Sequence, residues 1–243
     1  MEALIFDCDG VLALTERDGH RVAFNRAFER AGLDTRWDED LYGELVEVSG
    51  GKERMRHHFE QTGWPGQAGD SDEERDRFVR ALHADKTETF MAMVEGGELP
   101  LRSGVVRVVD EAIEAGLKLA VCSTSNVRSV TAVVAQMGED RAGRFSIFAG
   151  DMVQKKKPDP EIYDMARREL RLPDGPSAVV VEDTRNGLLA AKAAGFACLV
   201  TTSAYTQRED FAEADRVVPE LGDPPRPHVT LDDLRALADG TDS

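Results

Sequence analysis

Two aspartates, Asp7 and Asp9, follow the apolar run Ala3-Leu4-Ile5-Phe6 with a single residue between them, and Gly10 comes next. Residues at i and i+2 at the end of a strand point to the same side, so both carboxyls converge while Cys8 faces away. One such carboxylate can serve as a nucleophile and the other as a general acid and base. Taken alone, Asp7-Cys8-Asp9-Gly10 reads more readily as a plain turn. Three further groups, in order along the chain, supply what phosphoryl chemistry needs. Ser123 ends the run Leu119-Ala120-Val121-Cys122 and opens Thr124-Ser125-Asn126. Hydroxyls and free N–H groups at a helix start suit phosphate oxygens, although Ser125 or Asn126 by itself would also suit a helix cap. In Lys155-Lys156-Lys157-Pro158, two lysines suit solvent and Lys157, beside the proline, is the candidate inward charge. Val179-Val180-Val181-Glu182-Asp183 puts two acids at the end of an apolar strand. Buried carboxylates require a cation or donors, and an all-oxygen set suits Mg2+.

The elements that must position these groups are strands alternating with helices. Short apolar runs at Ala3 to Phe6, Leu117 to Cys122, Phe145 to Ala149, Ala178 to Val181 and Ala197 to Thr201 predict buried parallel strands. Val105, Val106, Val109 and Ala112, then Val127, Val130, Val134 and Met137, follow the spacing of a helix face, and a further helix is expected from Asn186 to Ala194. This alternation predicts an α/β fold with a doubly wound parallel sheet and its site at the strand C-termini. The alternation breaks between Thr15 and Glu95, where charged helical segments are separated by Gly32, Gly50-Gly51, Gly63 and Pro65-Gly66. Residues 15–95 are therefore expected to form an inserted α-helical cap, with residues 1–14 and 96–243 as the core. A short helix near Leu231 to Leu237 is expected to pack on the core without chemistry.

Of 243 residues, 41% are hydrophobic and 31% charged, and 46 acidic against 30 basic side chains give a net charge of −16. That field opposes broad contact with nucleic-acid phosphates or anionic lipid, so an anionic substrate must meet local positive charge or a metal. The first apolar run is too short for a signal-peptide core or a membrane span, which makes a cytoplasmic location the expectation. Cys8, Cys122 and Cys198 fall at strand positions and suit reduced, buried thiols.

On these four segments together, the chain resembles a haloacid dehalogenase superfamily phosphatase, which implies a Rossmann-like core and a helical cap. The resemblance spans roughly residues 1 to 205. It implies Asp7 as nucleophile, Asp9 as acid and base, Ser123 as phosphate-binding hydroxyl and Lys157 as charge-balancing lysine. It also implies a Mg2+ cofactor held by Asp7, the Asp9 carbonyl and Asp183, with Glu182 ligating through water or orienting its neighbours.

Within the insertion, Val48-Ser49-Gly50-Gly51-Lys52-Glu53-Arg54-Met55 permits close backbone approach and then supplies a cation; it is also a possible flexible loop with a solvated lysine. The matching loop of beta-phosphoglucomutase-like enzymes grips a second, non-reacting phosphate, which makes Ser49, Gly50, Gly51, Lys52 and Glu53 candidate substrate contacts. Thr124, Ser125 and Asn126 are candidates from the core side. Glu16 is a candidate acceptor for sugar hydroxyls and Lys86 a candidate phosphate contact, against the alternatives of a helix-start acid and a surface lysine. Arg75 lies in a charge run that suits a solvated face. Together with the core motifs, these cap segments are similar to those of the CbbY proteins. That resemblance implies a small phosphorylated sugar substrate, xylulose-1,5-bisphosphate, an inhibitor of Rubisco, and a monomer with no nucleic-acid or membrane partner. The rival expectations are a sugar-phosphate mutase, a phosphoglycolate phosphatase and a non-catalytic binding protein.

Overall fold

The computed structural model describes residues 1–48 and 50–240. The chain divides into two compact units, one comprising Met1–Leu14 and the chain from Pro100 onward, the other Thr15–Leu99.

The first unit is built on a six-stranded sheet in which every pairing is parallel, with strand order β3-β2-β1-β4-β5-β6. The strands are β1 (Ala3–Phe6), β2 (Lys118–Cys122), β3 (Phe145–Phe148), β4 (Ala178–Glu182), β5 (Ala197–Thr201) and β6 (Arg216–Val218). β1 sits centrally, pairing Phe6 with Val121 on one side and with Val181 on the other. The chain order therefore reverses direction beside β1, the place where an open α/β sheet forms its crevice. β1, β4 and β5 are buried along their whole length, as strands covered on both faces must be. One expectation needs correction: β3 is an edge strand whose first three residues are half-buried, so it lacks the pattern of a covered strand. β6, three residues long with Val217 exposed, is a strand the apolar runs do not mark.

Between β1 and β2 runs the second unit, with helices α1 (Arg21–Arg30), α2 (Glu39–Leu45), α3 (Gly51–Thr62) and α4 (Asp72–Glu95). Its core is aromatic: the Trp37 ring lies 4.7 Å from that of Phe24 and 4.9 Å from that of Phe28, and Phe28 meets Phe59 edge-on. The long α4 starts at a capping box in which Ser71 and Glu74 exchange hydrogen bonds, satisfying N–H groups the first turn leaves open.

The sheet of the first unit is flanked by α5 (Val105–Glu114), α6 (Val127–Ala135), the single turn α7 (Glu139–Ala142), α8 (Glu161–Glu169), α9 (Arg185–Ala193) and α10 (Leu231–Asp239). Ile5, Ala120, Cys122, Val180 and Val200 pack with Ile162, Tyr163 and Ala166 of α8 and Leu188 and Ala191 of α9. The alternate strand residues face the other way, toward α5 and α10. No described helix is long and apolar enough to cross a membrane.

Candidate active site

β4 buries a carboxylate, Glu182, with no exposed surface at all. Removing such a charge from water costs several kcal/mol, so the fold must answer it. Lys157 Nζ donates to Glu182 Oε1 at 2.6 Å, to Asp7 Oδ1 at 2.6 Å and to the Cys122 carbonyl at 2.8 Å, which accounts for all three ammonium protons. Tyr163 on α8 donates its hydroxyl to the same Oε1 at 2.6 Å, while Oε2 accepts from the Asp183 N–H and the Thr184 hydroxyl. Glu182 is thus saturated by protein donors and acts as the anchor on which Lys157 is held between β1 and β4.

Burial pulls the Lys157 ammonium down, but Asp7 and Glu182 more than offset this and keep it charged. Burial drives the Asp7 carboxyl well above the usual range; Lys157 opposes the rise, and Glu182 and Asp9 add to it. Asp7 therefore needs more positive charge than Lys157 alone provides if it is to act as an anionic nucleophile. Cys8 and Cys122 are likewise pushed up by burial and stay thiols.

Ligand oxygens of Asp7, Glu182 and Asp183 lie within 4.8 Å of one another, and all three residues are buried. Gly10 closes this group from below. A Cβ there would stand 2.0 Å from Asp183 Oδ2, and its φ of +83° is one that side chains rarely adopt. An oxygen-only set with surplus negative charge fits a hard divalent cation such as Mg2+. Gly187 at the start of α9 is required for the same kind of reason, since a Cβ would overlap the Glu182 carboxyl at 2.0 Å.

Asp9 is half-buried, and its carboxyl is held from β2. Ser125 Oγ donates to Oδ2 at 2.6 Å and Ser123 Oγ at 3.4 Å, while the Ser125 N–H donates to Ser123 Oγ. Thr124 is fixed through its backbone, which lies so close to Gly150 that a Cβ there would stand 2.2 Å from the Thr124 carbonyl oxygen. Asn126 is committed elsewhere: it caps α6, accepting from the Ser129 N–H at 3.0 Å. Asp7, Asp9, Ser123, Ser125, Lys157, Glu182 and Asp183 thus come together at the C-terminal ends of β1, β2 and β4. Tyr163, Gly187 and Gly150 join them without having been anticipated; the only signal of Tyr163 in the sequence is a polar tip on an otherwise apolar helix face.

The candidates in the helical unit have their own setting. Gly50, with φ of +95°, precedes α3, and Gly51, Lys52 and Glu53 form its first turn, with Lys52 exposed. Ser49 lies outside the described residues. Glu16 Oε2 accepts from Tyr42 at 2.5 Å and from Arg54 at 3.5 Å, and Arg54 also reaches the Val46 and Val48 carbonyls. Lys86 is buried, with Nζ 2.7 Å from His20 Nδ1 and close to the rings of Phe24 and Phe90. It is a core lysine rather than a surface one.

A parallel α/β sheet with a lysine-bridged acidic cluster at its switch point, and a helical insertion after the first strand, defines a hydrolase that works on phosphoryl groups. The haloacid dehalogenase-like hydrolase family matches residues 1–195. A CBBY-like protein of Arabidopsis thaliana is 52% identical over 230 residues, covering 94% of this chain and 72% of that protein. The crystal structure of CbbY from Rhodobacter sphaeroides in complex with phosphate superposes with a TM-score of 0.85 at 40% identity, covering 97% of this chain and 99% of that one. A mutant of the same CbbY, in complex with xylulose-1,5-bisphosphate, gives 0.84 at 40% identity, covering 96% and 99%. The chain belongs to the haloacid dehalogenase-like hydrolases, and within them to the CbbY proteins. It is a phosphatase, a phosphoric monoester hydrolase.

Proposed function

We propose that this phosphatase is Mg2+-dependent and removes one phosphate from a sugar bisphosphate, xylulose-1,5-bisphosphate, to leave xylulose-5-phosphate. The chemistry rests on one observation above all: the buried Asp7, Glu182 and Asp183 oxygens gathered within 4.8 Å, with Lys157 shared by two of them. The choice of sugar is supported by the bisphosphate bound to the CbbY mutant, a chain 40% identical over nearly the whole length.

In the proposed reaction Asp7 attacks phosphorus in line and forms an aspartyl-phosphate, while Asp9, protonated, gives its proton to the departing sugar oxygen. Asp9 then takes a proton from the water that attacks the acyl-phosphate, freeing phosphate and regenerating Asp7. The Ser125 hydroxyl, which donates to Asp9 Oδ2 at 2.6 Å, keeps that carboxyl oriented through both transfers. Ser123 and the backbone N–H groups beyond it meet the equatorial oxygens, where preorganised donors stabilise the charge of the transition state. Lys157 orients Asp7 and supplies part of the positive charge its anionic form needs. Asp7, Asp183 and the Asp9 carbonyl would hold Mg2+, with Glu182 behind them. When bound, the ion offsets the repulsion between Asp7 and phosphate and polarises the phosphoryl oxygens.

A bisphosphate needs a second cationic site. The turn Gly50-Gly51-Lys52 combines an exposed ammonium with the open N–H groups at the start of a twelve-residue helix, a combination suited to a phosphate. Glu16, tied to Tyr42 and Arg54, is the proposed acceptor for sugar hydroxyls.

Phosphate release with and without Mg2+, measured on xylulose-1,5-bisphosphate, xylulose-5-phosphate and 2-phosphoglycolate, tests the proposal. The bisphosphate should release one equivalent, only with Mg2+, and Lys52→Ala should raise its KM by ~10-fold or more, the loss of one charge-assisted contact. Isomerisation without phosphate release would replace this reading with a mutase, and preference for 2-phosphoglycolate would remove the bisphosphate.

A further inference from the structure

Arg102 belongs to none of the motifs above, yet its guanidinium is spent on the backbone around the site. Nη1 donates to the Gly10 carbonyl and, at 3.4 Å, to the carbonyl and hydroxyl of Thr201. Nη2 donates to the Thr202 carbonyl at 2.9 Å and the Pro219 carbonyl at 2.6 Å. The Arg102 N–H itself donates to the Leu12 carbonyl at 2.8 Å. One residue therefore holds two carbonyls of the turn that follows β1 and two from the end of β5. β4 lies between those strands, so the side chain bridges the strand end that carries Asp183.

The turn it holds leaves no slack. The Gly10 N–H donates to the Ala13 carbonyl at 2.8 Å, and its Cα faces the Asp183 carboxyl at the separation that excludes a Cβ. A rotation of the Gly10-Val11 peptide, whose carbonyl Arg102 holds, would shift the turn against Asp183, next to the peptide that carries the Asp9 carbonyl. Asp183 is also the carboxylate whose charge Arg102 feels most. A planar fork reaching four carbonyls on three segments, after β1, at the end of β5 and after β6, is a task that lysine, a point donor with three protons, performs only in part.

We propose that Arg102 is a positioning residue for the cation-binding side of this site, fixing the turn after β1 against Asp183 so that the groups that would hold Mg2+ keep their arrangement. The proposal rests on the Mg2+ reading above. Residues behind metal ligands typically tune affinity by ~10–100-fold, and that is the effect expected here.

Calorimetric titration of MgCl2 into the substrate-free protein, alongside thermal melting, decides it. Arg102→Met should weaken Mg2+ binding by ~10-fold or more and Arg102→Lys by less, with kcat at saturating Mg2+ reduced far less than the Mg2+ affinity. Should Arg102→Met fail to fold, Arg102→Lys carries the comparison. Mg2+ affinity within about twofold of wild type in a folded Arg102→Lys and Arg102→Met pair, whatever the melting temperature, would overturn the proposal and leave Arg102 a scaffold residue. A wild-type protein that binds no Mg2+ would remove the reading beneath the proposal, and the proposal with it.

Discussion

Lys157→Met tests whether one ammonium organises the site. The substitution keeps an unbranched side chain of similar length and removes the charge from between Asp7 and Glu182, each 2.6 Å from Nζ. Removing one partner of a buried ion pair typically costs ~3–5 kcal/mol. Glu182 retains donors from Tyr163, Asp183 and Thr184, whereas Asp7 loses the one cation that opposes the rise of its pKa. Its escape is to take up a proton. From an ordinary value of 3.8, that costs ~5 kcal/mol near about pH 7.5 and ~2 kcal/mol near about pH 5.5, at ~1.4 kcal/mol per unit. These figures are ceilings on the penalty at each pH. Burial already raises the folded Asp7 pKa in wild type and Lys157 opposes that rise, so without Lys157 it lies higher still; the folded variant then binds more protons than folded wild type, and its stability falls relative to wild type as pH rises through that window. The variant should therefore melt well below wild type near about pH 7.5, by ~8–16 °C for a loss of ~4 kcal/mol, and the gap should close toward about pH 5.5. Phosphate release should fall by ~1000-fold or more, since both the nucleophile's charge and a preorganised donor are lost. A stability gap equal at the two pH values, or turnover within ~10-fold of wild type, would refute the central role given to Lys157.

Two smaller perturbations separate anchoring from chemistry. Tyr163→Phe removes one donor from Glu182 Oε1 and leaves the ring under the Lys157 ammonium, so it should cost ~1.5–3 kcal/mol of stability in thermal or urea melts while kcat falls less than ~10-fold; unchanged stability would show the hydroxyl to be dispensable. His83 is held down to about 4 from 6.5 by burial, with Lys86, Lys52 and His20 adding to the effect and Glu53 opposing it. Its neutral form thus contributes stability that is complete above about pH 6.5 and lost as pH falls through about 4, at most ~3 kcal/mol. Melts of wild type and His83→Asn across that range should converge toward acid pH, and parallel curves would count against the assignment.

What the sequence discloses of such a site depends on what each group takes as its partner. Asp7, Asp9, Glu182 and Asp183 are legible because charge at the end of an apolar run is anomalous and has to be answered, and Lys157 follows as the cation that answers it. The covered strands are legible for the same reason in reverse, since β1, β4 and β5 carry almost nothing polar. β6 escapes notice because a three-residue edge strand has no covered face to betray it, and the helical unit's core escapes because Phe24, Phe28, Trp37, Tyr42 and Phe59 come from three helices and a loop. Asn126 and Lys86 show what side-chain type near a motif leaves open: one caps a helix, and the other lies against a histidine and two rings, settings the sequence does not disclose. Tyr163 is hidden because a tyrosine on an apolar helix face looks like core until the buried carboxylate it meets is located. Arg102 is harder still. Its partners are carbonyls at Gly10, Thr201, Thr202 and Pro219, which every residue type possesses, so no complementary residue marks the interaction. Groups that position a catalytic loop through its backbone therefore become visible only when the fold brings the loops together.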